Sequence, residues 1–215
     1  MPNVLIVGLS GEGDTDRRFF TPIVQRTFTD LLTSGPGQVD CLDPFWVGVA
    51  KGADIAEAAL RSGREYHLLF CCHADQDRNG YAQTETNQLL AARTILANQT
   101  EAYPPLIPIL PKEETESWML CDGDALRRVT FSTQSNADLG LHGNPERYAD
   151  PKAKLREVLE VINAEPRRYY DVELGPLYEE LGTEVSLEQL RGLGSFRRFE
   201  AAARAGLVEV GYLVG

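Results

Sequence analysis

The sequence predicts an α/β fold, with a mostly parallel sheet flanked by helices and a helical C-terminal extension. Short apolar runs alternate with helical patterns from residue 3 to about residue 122, the order of elements that builds a parallel sheet. Those runs are apolar throughout instead of alternating, as in strands covered on both faces. Beyond residue 125 the patterns are helical or polar. Residues 1–125 are therefore expected to form an α/β core, and residues 126–215 a loop and helical extension packed on it.

The opening NVLIVGL is the first expected strand, broken by SGEGDTD. Asp14 or Thr15 is expected to cap a helix reaching about Leu32, with Phe19, Phe20, Ile23, Val24, Thr27 and Phe28 on one side. TSGPG stops it. VDCLDPFWVGVA reads as a second strand, interrupted or edged by Pro44. GADIAEAALRSG is a short helix and EYHLLFCC a third strand, followed by the polar loop HADQDRNG. TETNQLLAARTILANQ has helical spacing. PPLIPILP is extended, and its prolines suit a sheet edge. TESWMLCD reads as a helical turn, and the segment from Thr130 to Pro151 as a long loop. KAKLREVLEVIN is an amphipathic helix, and SLEQLRGLGSFRRFEAAARAG contains one or two more.

The net charge of −11 excludes a basic nucleic-acid coat or polybasic membrane anchor spread over the chain. No apolar run approaches the roughly 20 residues that span a bilayer. The N-terminus lacks a basic region and a small-residue cleavage site, and the four cysteines follow no disulfide spacing. The expectation is a cytoplasmic protein with reduced thiols and no membrane partner. Cys71 and Cys72, like Trp118 and Met119, are read as core residues.

The acidity is uneven. Residues 1–150 carry 21 acidic and 12 basic side chains, while residues 151–215 carry 11 and 9. Glu12, Asp14 and Asp16 follow the first expected strand, Asp75 and Asp77 the third, and Glu113, Glu114 and Glu116 the last. Ligand crevices of open α/β sheets lie at the carboxyl ends of the strands. Carboxylates brought together there repel one another unless a cation neutralises them, and hard divalent cations take oxygen ligands. GLSGEGDT is not a phosphate loop, because Asp14 stands where the lysine belongs. DQDRNG begins like a calcium loop, but the twelfth position is Thr86 and the preceding segment reads as a strand.

A strand running into an EG-x-T-[DE] helix, then a strand ending in DxD, resembles Toprim domains. The matching residues are Glu12 in VGLSGEGDTD and Asp75 and Asp77 in HADQDRNG. With ETESWMLCD, GNPERYADPK and LGTEVSLEQLRGLGSFRRFE, nearly the whole chain resembles a bacterial Toprim-like family of unknown function, related to the Toprim domains of OLD-family nucleases. The resemblance implies magnesium or manganese at a phosphodiester, with Glu12 as metal ligand or general acid/base. It makes Asp75 and Asp77 metal ligands and Glu116 an additional catalytic carboxylate. It implies a DNA or RNA substrate, a partner ATPase or defence-system protein, and a role in defence against phage. No tyrosine is marked as the nucleophile that topoisomerase relatives use. Arg17, Arg18, Arg78 and Lys112 adjoin these carboxylates in sequence and are expected to position phosphate. The alternative is a non-catalytic binding or regulatory module on the same fold.

Overall fold

The computed structural model describes residues 4–35, 37–76, 78–100, 102–165 and 172–214. Asp77 lies outside them. The first expected strand divides at Ile6 into β1 (Val4–Leu5) and β2 (Val7–Gly11), followed by α1 (Asp14–Leu32). The second divides at Leu42–Pro44 into β3 (Asp40–Cys41) and β4 (Phe45–Val49), since Pro44 has no N–H to give a ladder. Then come α2 (Asp54–Arg64), β5 (Leu69–His73), α3 (Tyr81–Ala97), β6 (Leu106–Ile109), α4 (Glu116–Met119) and α5 (Gly123–Thr130). A long loop containing one 3-10 turn (Pro145–Arg147) leads to α6 (Pro151–Asn163), α7 (Leu174–Glu184), α8 (Leu187–Arg191) and α9 (Gly194–Glu209).

The main sheet is fully parallel, in the order β4-β2-β5-β6, and β1 and β3 form a small parallel pair beside it. β6 is an edge strand, where Pro108 is tolerated. Side chains alternate across the sheet. Phe70 and Cys72 face α2 and α3 with Ile55 and Leu89. Leu9, Cys71 and Ile107 face the other way, into a larger cluster with Phe19, Phe20, Trp118, Phe196 and Phe199. α1 and α9 thus cover one face of the sheet, with α7 packed on α1 and α8 on α9, and full burial of each phenylalanine there contributes about 1.5–3 kcal/mol. Cys71, Cys72, Trp118 and Met119 are core residues as expected. The Trp118 indole edge meets Phe196, and its Nε1 donates to Ser195 Oγ at 2.7 Å.

Two elements depart from the sequence reading. Gly13, not Asp14 or Thr15, holds the cap position of α1, and no side chain caps it. α7, whose polar spacing concealed it, packs tightly against α1. A Cβ on Gly182 would stand 2.5 Å from the Phe19 carbonyl oxygen and 2.7 Å from Pro22 Cγ, so only glycine admits this approach. Arg26 of α1 then donates to the Gly182 and Val185 carbonyls, closing the end of α7.

Candidate functional site

The carboxyl ends of β2, β5 and β6 deliver their following residues to one place. After β2, the Gly11–Gly13 turn lets the first turn of α1 swing Asp16 inward. A Cβ on Gly11 would crowd the Asp16 side chain at 3.2 Å and His73 Nδ1 at 3.4 Å. Asp16 Oδ2 accepts the Glu12 N–H at 3.1 Å. Asp14, two residues earlier and half a helical turn away, faces solvent and holds Arg17 and Arg18, whose hydrogen bonds depress its pKa.

β5 ends on His73, buried and stacked on Phe20 with ring centroids 4.4 Å apart. Its Nε2 lies 3.2 Å from Asp75 Oδ1, and its Nδ1 lies 3.6 Å from Asp16 Oδ2. Nδ1 has no hydrogen-bond partner among the described residues. Burial disfavours the imidazolium, but the Asp75 hydrogen bond and charge, with Asp16 and Glu12 behind it, outweigh burial and raise the His73 pKa. The loop beyond is clamped to the one after β6: Gln76 Nε2 donates to the Leu110 carbonyl and Gln76 N–H to that of Pro111.

The segment after β6 contributes Thr115 and Glu116. Thr115 Oγ1 stands 3.3 Å from Asp16 Oδ1, 3.3 Å from Asp75 Oδ1 and 3.2 Å from His73 Nε2. Glu116 is 2% exposed and accepts the Tyr178 hydroxyl, with Lys152 Nζ 3.5 Å from its Oε1. Burial first, then the Glu116 charge, pushes the Tyr178 phenol upward, so it stays a donor. Glu114 accepts the Lys152 N–H at 3.0 Å. Burial raises its pKa, the Lys152 N–H opposes this, and the charges of Glu116, Asp150 and Asp75 add to the rise. On the opposite rim Lys51 Nζ lies 3.3 Å from Glu12 Oε2. Buried carboxylates are costly without partners, and here each has them.

Of the residues read from sequence, Glu12, Asp75 and Glu116 therefore follow strand ends at one sheet edge, Asp75 joined through Thr115 to Asp16, Asp16 to the Glu12 N–H, and Glu116 held by Tyr178 and Lys152; Asp77 lies outside the described residues. Arg78 lines a cleft of about 330 Å³ with Asn79, Glu113, Glu114, Ala149 and Asp150. Lys112 is exposed, its charge acting on Glu146. Arg17 and Arg18 turn outward and line a groove with Glu179 and Thr183. Sequence reasoning missed Thr115, Tyr178 and Lys51. It noted Asp16 only as one member of a cluster. The signal for Asp16 was its four-residue spacing from Glu12, while Tyr178 carried none.

The donor chemistry fits a hard divalent cation, with carboxylate oxygens from three loops and one unpartnered imidazole nitrogen. The cysteine thiols nearby are raised by burial and unsuited as ligands. As the side chains stand, no three His, Cys, Asp or Glu among the described residues are close enough together to hold an ion. No helix of the described residues is long and apolar enough to cross a membrane. Comparison with protein-family models, with curated proteins and with solved structures finds no match for this chain.

Proposed function

We propose that the chain is a magnesium- or manganese-dependent phosphodiesterase of Toprim type, acting on DNA or RNA. One observation carries this reading: at the carboxyl edge of a parallel sheet Asp16 and Asp75, from two strand ends, meet at Thr115 from a third, with the Glu12 N–H bound to Asp16 and Glu116 next to Thr115 in the chain. Glu12, Asp75, Asp77 and Glu116 are the proposed ligands, with Asp16 supporting them. A divalent cation at such a site supplies an activated water and stabilises the departing oxygen. Glu12, a third exposed, is the carboxylate placed to move a proton. Thr115 and His73 hold Asp75 in orientation. Lys51 and Lys152, both half-exposed, join Arg78 and Lys112 as the proposed phosphate contacts, while Arg17 and Arg18, expected in that role, turn outward onto Asp14. Through the family resemblance, the reading extends to a cytoplasmic setting, defence against phage and a partner ATPase.

The test is cleavage of DNA and RNA panels with magnesium, with manganese and with chelator. Asp75→Asn, Asp77→Asn and Glu12→Gln should each abolish metal-dependent cleavage while leaving the circular dichroism spectrum unchanged. Undiminished cleavage in all three variants would sink the assignment.

The second reading, a non-catalytic binding or regulatory module, is favoured by the place of His73. Its imidazole stands between Asp16 and Asp75, a partner from within the fold where a cation would otherwise be needed. Metal binding with no cleavage over the whole panel would select it.

A further inference from the structure

We infer that Tyr178 is a positioning residue for the carboxylate site, holding Glu116 in its working orientation, so that the site is completed only by α7 of the C-terminal region. The inference rests on the metal-site reading above and extends it to the C-terminal region.

Glu116 begins the single-turn helix α4, an element too short to hold its own side chain in one direction. Its carboxylate is nonetheless buried, and two side chains from outside α4 meet it: the Tyr178 hydroxyl from α7 and the Lys152 ammonium from α6. A buried charged network of this kind adds little net stability, since apolar residues of similar volume commonly serve a core as well or better. What it does provide is direction. The phenol is short of rotatable bonds and 2% exposed, and it projects from a helix whose distance to α1 is set by the Gly182 contact with Phe19 and Pro22. Side chains locked by packing in this way are what orient ligands at metal sites. Lys152 is half-exposed and bound through its backbone N–H to Glu114, which ties the start of α6 to the same cluster.

The experiment is manganese titration calorimetry on the full chain and three variants: Tyr178→Phe, Glu116→Gln and the double variant. Thermal unfolding of each is recorded alongside. Tyr178→Phe removes only the hydroxyl and should weaken manganese binding about 10- to 100-fold. It should lower kcat by a similar factor, with KM for nucleic acid unchanged. Because Tyr178 acts through Glu116, the double variant should bind manganese no more weakly than Glu116→Gln. Wild-type manganese affinity in Tyr178→Phe would overturn the inference. So would losses that simply multiply in the double variant, which mark a structural role independent of Glu116. A wild-type chain that binds no manganese would remove the metal-site reading itself, a result distinct from either.

Discussion

Thr115 Oγ1 lies 3.3 Å from Asp16 Oδ1, joining the loop after β6 to the first turn of α1 across 99 positions of sequence. The same oxygen is within hydrogen-bond distance of His73 and Asp75, so one hydroxyl ties together three strand ends.

Thr115→Val keeps the shape and removes that oxygen. Buried groups left without a partner cost about 1–3 kcal/mol. Urea unfolding should show a loss of this size, restored largely by Thr115→Ser, and any cleavage should fall with it.

Asp16 and Asp14 differ by half a helical turn and should differ in consequence. Asp16→Asn should reduce metal-dependent cleavage about tenfold or more, because it disturbs His73 and Thr115 together. Asp14→Asn touches only exposed Arg17 and Arg18 and should leave cleavage unchanged. Equal losses in initial-rate assays would show that the inward placement of Asp16 has no functional weight.

Gly182→Ala places a methyl against the Phe19 carbonyl and Pro22. Overpacking of this kind costs about 1–3 kcal/mol. Thermal unfolding should register it, together with weaker manganese binding if α7 carries Tyr178 away from Glu116.

Glu146 accepts the Gly194 and Ser195 N–H groups, at the N-terminus of α9. Burial acts to raise its pKa, but the Ser195 hydroxyl, these two N–H groups and the Lys112 charge together lower it. A carboxyl lowered on folding stabilises above its unfolded pKa and loses that contribution as pH falls through the folded value. Glu146→Gln should therefore destabilise at neutral pH by about 1 kcal/mol, the low end suited to a half-exposed group. The difference from wild type should vanish in acid below the ordinary glutamate range. A difference independent of pH would rule out the charge as its source.

Arg78 borders the cleft beside Glu114 and Asp150. Arg78→Ala should weaken nucleic-acid binding and reduce the salt slope of affinity by about one. An unchanged slope would exclude a phosphate contact.

Much of the scaffold was legible because its signals are local. A strand covered on both faces must be apolar throughout, and Leu69–Cys72 could be read as one from four residues alone. Since parallel strands bring their carboxyl ends to one edge, Glu12, Asp75 and Glu116 could be placed near one another without coordinates. The division of the first two strands was not legible, because a change of pairing partner at Ile6 leaves no mark in hydrophobicity. Nor was α7, whose buried face of Leu177, Tyr178, Leu181 and Gly182 contains a polar ring and a glycine.

The sequence by itself determined the α/β class, the alternation of strands and helices up to about residue 122 and the edge of the sheet where carboxylates collect. All three follow from short-range periodicity and from the direction of parallel strands. Only the tertiary structure decided which carboxylates turn inward and what holds them. Asp16 rather than Asp14, Thr115 as the shared hydroxyl, His73 between two acids and Tyr178 upon Glu116 are choices of rotamer and packing. They depend on contacts between residues up to 99 positions apart, and no local pattern encodes such distances.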